Sequence, residues 1–238
     1  MSSPLDPSHI ASAKSGVTAL LSNIKPDVNA EGRPWVLGLE RPDINLKVYY
    51  SEVPGSSLLR FKGVCEIKGY APMYIQEAIS DNAERLKWDS NIAALDIHDI
   101  RGGTSGVPST DEGILRVVLL RSATKPVGPI SAREFLDVTA ICDEKFPGVP
   151  KGSVVSGGTG VVDAVRFPDA SGYVRGWNTA SGWVFEKTET GTTIHYVIHS
   201  DLKGWMLSVV VNNALTGSYV TFFTDVQKRL ETMNREKK

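Results

Sequence analysis

The central part of the chain contains seven strand-like runs in succession, with no helical segment between any two of them. Turns rich in Gly, Pro, Ser and Asp separate these runs, which are 92–100, 114–121, 134–142, 153–166, 172–177, 183–187 and 192–200. Two parallel strands need a long crossover, usually a helix, and this region offers none. The order therefore predicts an α+β fold built on one large antiparallel sheet.

Three segments outside this region have apolar residues at helical spacing. The first covers residues 7–25, and the second covers residues 71–87 with Pro72 in its first turn. The third covers about residues 218–235, and its apolar face consists of Tyr219, Phe222, Phe223, Val226 and Leu230. We expect a curved sheet with these helices on one side.

Two more strand-like runs, 46–50 and 59–68, precede the second helix. In the run 59–68, apolar residues alternate with Arg, Lys and Glu, which predicts one dry and one wet face of an antiparallel sheet. Nothing in the composition marks a linker between these elements. We therefore expect residues 1–238 to form a single domain.

The charge balance excludes some functions. The chain has 26 Lys and Arg against 27 Asp and Glu, a net charge of −1, so we expect no nucleic-acid partner bound through bulk electrostatics. It has no apolar run long enough to span a bilayer, and its first residues lack the pattern of a secretory signal. Cys65 and Cys142 lie in apolar runs, which predicts free, buried thiols in a reducing compartment, the cytoplasm.

Searches for catalytic and metal chemistry give little. His195 and His199 share one strand face with Val197 between them, but they are about 13 Å apart, too far to chelate one metal. The run 157–160, Gly-Gly-Thr-Gly, lacks the Lys-Ser/Thr ending and the helix of a phosphate loop. We expect no metal, no cofactor and no catalytic residue.

Five motifs, spread over about residues 60–235, together indicate a family. They are Arg-Leu-Lys-Trp-Asp-Ser-Asn at 85–91, Ile-Ser-Ala-Arg-Glu-Phe at 130–135, Gly-Tyr-Val-Arg-Gly-Trp-Asn at 172–178, Ser-Gly-Trp at 181–183 and Asp-Leu-Lys-Gly-Trp at 201–205. In order and content they resemble the START domain, the steroidogenic-acute-regulatory-protein-related lipid transfer family. Ala132 and Glu134 stand where that family usually has Pro and Asp.

The resemblance implies a helix-grip fold, in which a strongly curved antiparallel sheet wraps around a long C-terminal helix. A hydrophobic tunnel between them would hold one lipid: a phospholipid, a sterol or a ceramide-like molecule. Most members of the family carry or sense lipids without catalysis. The resemblance therefore implies a monomeric cytoplasmic carrier that contacts membrane surfaces transiently. Two alternatives stay open, namely a lipid-gated interaction module and a helix-grip hydrolase or cyclase.

The resemblance also suggests which lipid is bound. Arg85 and Asp89 match head-group positions of phosphatidylcholine carriers, although sterol-type members carry the same pair, and both residues could be purely structural. The tunnel carboxylate and arginine of sterol-type members fall at Leu120, beside Arg121, and at Thr139. Because that pair is missing, the resemblance favours phospholipid over sterol.

Several other residues allow two interpretations. In run 134–142 the more apolar face by period two is Leu136, Val138, Ala140 and Cys142, so only the resemblance turns Thr139 toward the tunnel. The face of His195, Val197 and His199 either looks inward, toward a head group, or outward to solvent. Tyr219 and Phe223 are tunnel wall or core, with core favoured for Phe223.

The segment 121–133, with Pro126, Gly128 and Pro129, matches the family's loop that abuts the terminal helix, and we expect it to act as a gate. The tail 227–238 has a net charge of 5 − 2 = +3. It either favours an anionic membrane surface or is an ordinary solvated helix end.

Overall fold

The computed structural model describes residues 7–101, 112–164, 167–169, 172–204 and 208–236. Its four α-helices are α1 Pro7–Asn23, α2 Pro72–Ser80, α3 Asn82–Trp88 and α4 Ser208–Glu236. The strands are β1 Val36–Arg41, β2 Leu46–Ser51, β3 Arg60–Lys68, β4 Ile92–Arg101, β5 Ile114–Thr124, β6 Arg133–Cys142, β7 Val154–Gly160, β8 Val174–Arg175, β9 Trp177–Asn178, β10 Ser181–Lys187, β11 Gly191–Ile198 and β12 Ser200–Asp201.

One large sheet organises the described part of the chain. Its strand order is β1-β2-β3-β11-β10-β7-β6-β5-β4, and every neighbouring pair along this path is antiparallel. The short β8 adds to β6 in parallel, and β9 pairs with β12 in a separate ribbon. The α+β class and the antiparallel sheet are confirmed.

The C-terminal helix packs its predicted apolar face on this sheet. Tyr219, Phe222, Phe223, Val226 and Leu230 are all 2% exposed or less. The helix begins at Ser208, well before the predicted residue 218. None of the described helices is long and apolar enough to cross a membrane.

Helix α1 lies on the opposite face of the sheet, so the prediction that all helices share one side is wrong. Its apolar residues Ala13, Val17 and Leu20 are fully buried against residues of the central strands, including Val138 and Val184. The central strands are apolar on both faces, and burying two faces requires a covering layer on each. The sheet therefore lies between α1 and α4.

The first half of the β3 face that the alternation predicts to be wet is also covered, whereas Lys68 at its end is exposed as predicted. Arg60 and Lys62 are only 5% and 2% exposed. Arg60 forms an ion pair with Glu31, and Lys62 Nζ donates to the carbonyl oxygen of Lys25, 2.7 Å away. The same ammonium group lies 4.3 Å from the ring centre of Trp35. The chain between α1 and β1 thus covers charged side chains that the pattern alone assigns to solvent.

The predicted helix 71–87 is two helices that meet at Asp81. The backbone of Asp81 is extended, with φ −75° and ψ 97°, and its carboxylate accepts a hydrogen bond from the N–H of Glu84. Asp is a favourable N-cap residue, because its side chain satisfies an N–H group that the first turn leaves free. The break makes Asp81 the N-cap of α3, the helix that carries Arg85.

Cys65 and Cys142 are free and buried, as predicted. Burial raises the pKa of the Cys65 thiol to about 11 and that of the Cys142 thiol to about 12. Both side chains therefore behave as small apolar residues near neutral pH.

Candidate functional site

A cavity of about 210 Å³ lies between the inner face of the sheet, α3, α4 and the loop that joins β5 to β6. Most of its wall is apolar, and six representative wall residues are Ile92, Leu95, Phe135, Ile198, Leu215 and Phe222. The sheet residues of the wall come from the six consecutive strands β4, β5, β6, β7, β10 and β11, so the sheet curves around the space. An apolar interior with a few fixed polar groups is typical of a site for a small apolar ligand.

The last turn of α3 supplies a buried ion pair to the cavity wall. Arg85 Nε donates to Asp89 Oδ2 over 2.9 Å, and the two side chains are 9% and 1% exposed. Asp89 Oδ1 also accepts the N–H of Asn91, and the guanidinium carbon lies 5.2 Å from the ring centre of Trp183. Among the described residues, Nη1 and Nη2 of Arg85 have no hydrogen-bond partner. The two terminal nitrogens are thus available to an anion in the cavity.

The middle of β6 carries a second polar group of the wall, Asp137. Asn178 Nδ2 donates to Asp137 Oδ2 over 2.9 Å, whereas Asp137 Oδ1 is buried without a partner. Burial raises the pKa of this carboxyl group to about 7, although the bond from Asn178 acts in the opposite direction. Asp137 belongs to none of the five motifs. The available signal was an acidic residue within a strand whose other residues are mostly apolar.

The structure places Leu120 and Thr139 on the cavity wall. Thr139 lies there because residues of even number on β6, such as Val138 and Ala140, face α1. The more apolar face of β6 therefore packs on the outer helix, and its more polar face lines the cavity. Leu120 pairs directly with Asp137 across the β5–β6 ladder, so a carboxyl group does lie in this region, one strand away from the expected position.

His195, Val197 and His199 do not line the cavity, which corrects the ligand-binding role predicted for them. His195 Nε2 lies 2.9 Å from Glu186 Oε2 on the outer face, and Val197 is buried in the core that contains α1. His199 contacts the hydroxyl groups of Thr179 and Ser56. The inward residues of β11 are the ones between them, Tyr196 and Ile198.

Arg121 is a structural residue and does not line the cavity, which corrects its predicted ligand role. Its Nη2 lies 2.8 Å from Oε2 of Glu134, a carboxylate with a fully buried side chain. Nη2 of Arg175 lies 3.0 Å from the other oxygen of Glu134. This triad joins β5, β6 and β8 on the outer face of the sheet.

The terminal helix contributes Tyr219 and Phe222 to the wall, whereas Phe223 is fully buried in the core. The Tyr219 hydroxyl donates to the carbonyl oxygens of Phe61 and Tyr196, at 3.2 and 3.1 Å. The aromatic ring of Tyr219 is thereby held at the wall, with its polar atom directed into the sheet. Phe222 was predicted only as part of the helix's apolar face.

The gate loop, residues 125–132, closes one side of the cavity. Lys125, Val127 and Ile130 line the wall, and Val127 and Ile130 exchange two backbone hydrogen bonds of 3.0 Å around the turn that contains Gly128 and Pro129. Gly128 has φ +56°, a conformation that favours glycine. Pro126 directly precedes this turn, so the gate loop contains all three predicted gate residues.

The gate loop contacts the start of α4. Ile130 forms a small apolar cluster with Leu202 and Val211. Just after the loop, Arg133 Nε donates to the carbonyl oxygen of Leu202 over 2.7 Å. Trp205, the last residue of the fifth motif, lies outside the described residues. The described contacts place the loop against α4, as the resemblance implies.

A curved antiparallel sheet that closes on a long C-terminal helix around an apolar cavity defines the helix-grip class of ligand-binding domains. Within this class, the START domain model matches residues 26–237, and the chain belongs to the START domain family. Domains of this family bind and transfer lipids, and the cavity is where this chain would hold one.

Solved structures show the same fold. Human StAR-related lipid transfer protein 5 is 21% identical with a TM-score of 0.65, and the match covers 84% of this chain and 88% of that one. Human STARD10 is 17% identical with a TM-score of 0.62, covering 84% and 76%. A STAR-related lipid transfer protein from Xanthomonas axonopodis is 17% identical with a TM-score of 0.63, covering 83% and 98%. A search of curated protein sequences returns no significant match.

Proposed function

We propose that the cavity holds one phospholipid and that the protein carries it between membranes without changing it chemically. In this proposal the protein is a cytoplasmic monomer that contacts membrane surfaces transiently. The observation that carries the choice of phospholipid is the Arg85 side chain, whose two terminal nitrogens have no partner among the described residues. A guanidinium group can hold a phosphate through two parallel hydrogen bonds, which a sterol hydroxyl group cannot match.

Charge balance favours a head group without net charge. Arg85 and Asp89 already form a neutral pair, and both side chains are buried. Adding an uncompensated charge to a buried neutral pair is unfavourable. A zwitterionic phospholipid would place its phosphate near Arg85 while adding no net charge to the site.

Carriage also fits the energetics of lipid exchange. A two-chain lipid exposes on the order of 30 methylene groups, and at about 0.8 kcal/mol for each the tails account for on the order of 20 kcal/mol of water avoidance. Unassisted passage through water is therefore very slow. An apolar cavity accelerates exchange by replacing water around the tails, and carriage itself needs no catalytic group.

The described residues of the wall include no His and no Cys, the side chains most suited to acid–base or nucleophilic work near neutral pH. Among the described residues, no histidine ring forms a hydrogen bond with a serine or threonine hydroxyl group of the wall. These features support a carrier over a hydrolase.

Loading would require the gate loop to move. A cavity of about 210 Å³ is below the roughly 300–1,000 Å³ of typical small-ligand sites, so a phospholipid would need additional space. The contact between Ile130 and Val211 is a small apolar cluster that can separate at a membrane. Val127 and Val209 beside it are 37% and 67% exposed and would insert among lipid head groups.

Transfer of fluorescent phosphatidylcholine from donor to acceptor vesicles tests the proposal. We expect Arg85→Lys to transfer at least several-fold more slowly than the wild-type protein, because lysine cannot form the two parallel bonds. The matched control is Lys87→Gln on the same helix, where the side chain is 69% exposed and should not matter. Circular dichroism establishes that both variants fold. No transfer of any phospholipid by the wild-type protein would overturn the proposal.

A further inference from the structure

The Asp137 carboxyl group on the cavity wall has a buried oxygen that nothing in the described protein satisfies. Oδ1 has no hydrogen-bond partner, whereas Oδ2 accepts from Asn178. Buried polar atoms in folded proteins are almost always paired, and leaving one unpaired destabilises the folded state. A ligand that supplies a hydrogen-bond donor would remove this penalty.

Asn178 cannot supply that donor. The Ser200 hydroxyl group donates to Asn178 Oδ1, which fixes the amide so that Nδ2 points to Asp137 Oδ2. No Lys or Arg of the described chain forms an ion pair with Asp137, and desolvation alone raises its pKa to about 7. The bond from Asn178 to Oδ2 therefore fixes the carboxyl group, while Oδ1 has neither a hydrogen bond nor a cation beside it in the described chain.

Asp137 and the Arg85–Asp89 pair belong to the same cavity wall, and both lie near Tyr196. The charges of Arg85, Asp89 and Asp137 all act on the pKa of the buried Tyr196 hydroxyl group. Tyr196 lines the wall from β11, the strand between β10 and β3. One lipid head group could therefore reach both the guanidinium group and the Asp137 carboxyl group.

We propose that Asp137 is a specificity-determining residue that accepts a hydrogen bond from a donor on the lipid head group. Primary ammonium and hydroxyl groups are such donors, whereas the trimethylammonium group of choline carries no N–H. The inference rests on the proposed phospholipid function and refines it. Arg85 binds the phosphate, and Asp137 distinguishes head groups with a donor from those without one.

Ionisation supports the ammonium group as the stronger partner. Lys125 and Arg133 also line the wall, but no described Lys or Arg forms an ion pair with Asp137, so a primary ammonium group of the ligand would be the charge partner of the ionised carboxylate. A hydrogen bond to a charged group is stronger than one between neutral groups. A hydroxyl group would satisfy the same oxygen without neutralising the charge.

Competitive binding to three phospholipids with identical chains tests the inference. The vesicles contain phosphatidylethanolamine, which has an ammonium donor, phosphatidylglycerol, which has hydroxyl donors, or phosphatidylcholine, which has neither. We expect the wild-type protein to prefer phosphatidylethanolamine over phosphatidylcholine by tenfold or more. Asp137→Leu should reduce this preference to within twofold while retaining binding of phosphatidylcholine. Asp43→Asn, at an exposed carboxylate that pairs with Arg41, is the matched control and should keep the wild-type preference.

The three lipids and the Asp137→Leu variant distinguish the possible outcomes. A preference for phosphatidylethanolamine alone supports the inference with ammonium as the donor, and a preference that extends to phosphatidylglycerol supports it with hydroxyl. Equal binding of all three lipids, unchanged in the Asp137→Leu variant, would overturn the role of Asp137 and leave phospholipid binding intact. Failure to bind any of the three would overturn the proposed function as well. If Asp137→Leu does not fold, Asp137→Val, which also lacks a hydrogen-bond acceptor, replaces it with the same criterion.

Discussion

The ring of Tyr219 lies directly over the backbone of Gly63. A Cβ atom at residue 63 would come within 2.5 Å of Tyr219 Cδ1, closer than two carbon atoms can approach. Because residue 63 has no side chain, α4 packs close enough to β3 for the Tyr219 hydroxyl group to reach the carbonyl oxygens of Phe61 and Tyr196. This contact sets the distance between helix and sheet, and hence the position of the cavity wall.

We expect Gly63→Ala to destabilise the fold by about 1–3 kcal/mol, the usual range for overpacking in a filled core. The measurement is chemical denaturation monitored by circular dichroism. Gly217→Ala is the control, since a Cβ atom there meets nothing within 4 Å and alanine favours the helix. This control should stabilise the fold by about 0.5–1 kcal/mol. Equal stability of Gly63→Ala and the wild-type protein would contradict the packing role.

Glu134→Gln should destabilise the fold by about 3 kcal/mol or more. The buried Glu134 carboxylate faces both Arg121 and Arg175, and loss of its charge leaves Arg121 without an ion-pair partner among the described residues and Arg175 with only the exposed Asp169. Glu231→Gln is the control, because its pair with Arg235 is exposed and 4.0 Å long. Thermal denaturation of both variants gives the comparison. If both variants show the same small loss of thermal stability, the triad does not stabilise the sheet.

The free energy of unfolding of Asp137→Asn should rise relative to that of the wild-type protein as the pH rises. The unfolded carboxyl group has a pKa near 3.9, whereas burial raises the folded value to about 7, so between these values the folded protein binds a proton that the unfolded protein lacks. Wild-type stability from this group therefore falls as pH rises toward 7. The neutral amide avoids this loss.

Denaturation of lipid-free protein at pH 5 and pH 8.5 measures the effect. The advantage of Asp137→Asn over wild type should grow by about 2–3 kcal/mol across that interval. The exposed Asp43 has a pKa lowered by its hydrogen bond from Arg41, so Asp43→Asn should show no such growth. A pH-independent difference for Asp137→Asn would mean that the carboxyl group is not desolvated.

Val209→Glu should slow phospholipid transfer several-fold at anionic vesicles without loss of stability. Val209 is 67% exposed in the first turn of α4, next to residues that contact the gate loop. A carboxylate there removes an apolar contact with the membrane and adds repulsion. Val162→Glu, at a side chain that is 78% exposed elsewhere, is the control and should transfer normally. Equal rates for the two variants would exclude Val209 from the membrane contact.

The amino-acid sequence by itself determined the class of fold. The succession of strands without crossover helices required an antiparallel sheet, and the apolar face from Tyr219 to Leu230 was read correctly because a helix repeats its burial every 3.6 residues. The motifs around Arg85 and Arg133 indicated the family that the match over residues 26–237 establishes. Each of these features depends on residues that are close together in the chain, so short sequence patterns predict it.

Only the tertiary structure decided which face of each strand meets the cavity. Val138 and Thr139 are neighbours on β6, and the apolar one packs against α1 while the polar one lines the cavity. A period of two assigns residues to two faces but cannot identify the layer that covers each face. For the same reason His195 lies under the outer layer, and Asp137, which no motif marked, lies at the cavity wall. Its position depends on strands and a helix that are distant in sequence, and folding alone brings them together.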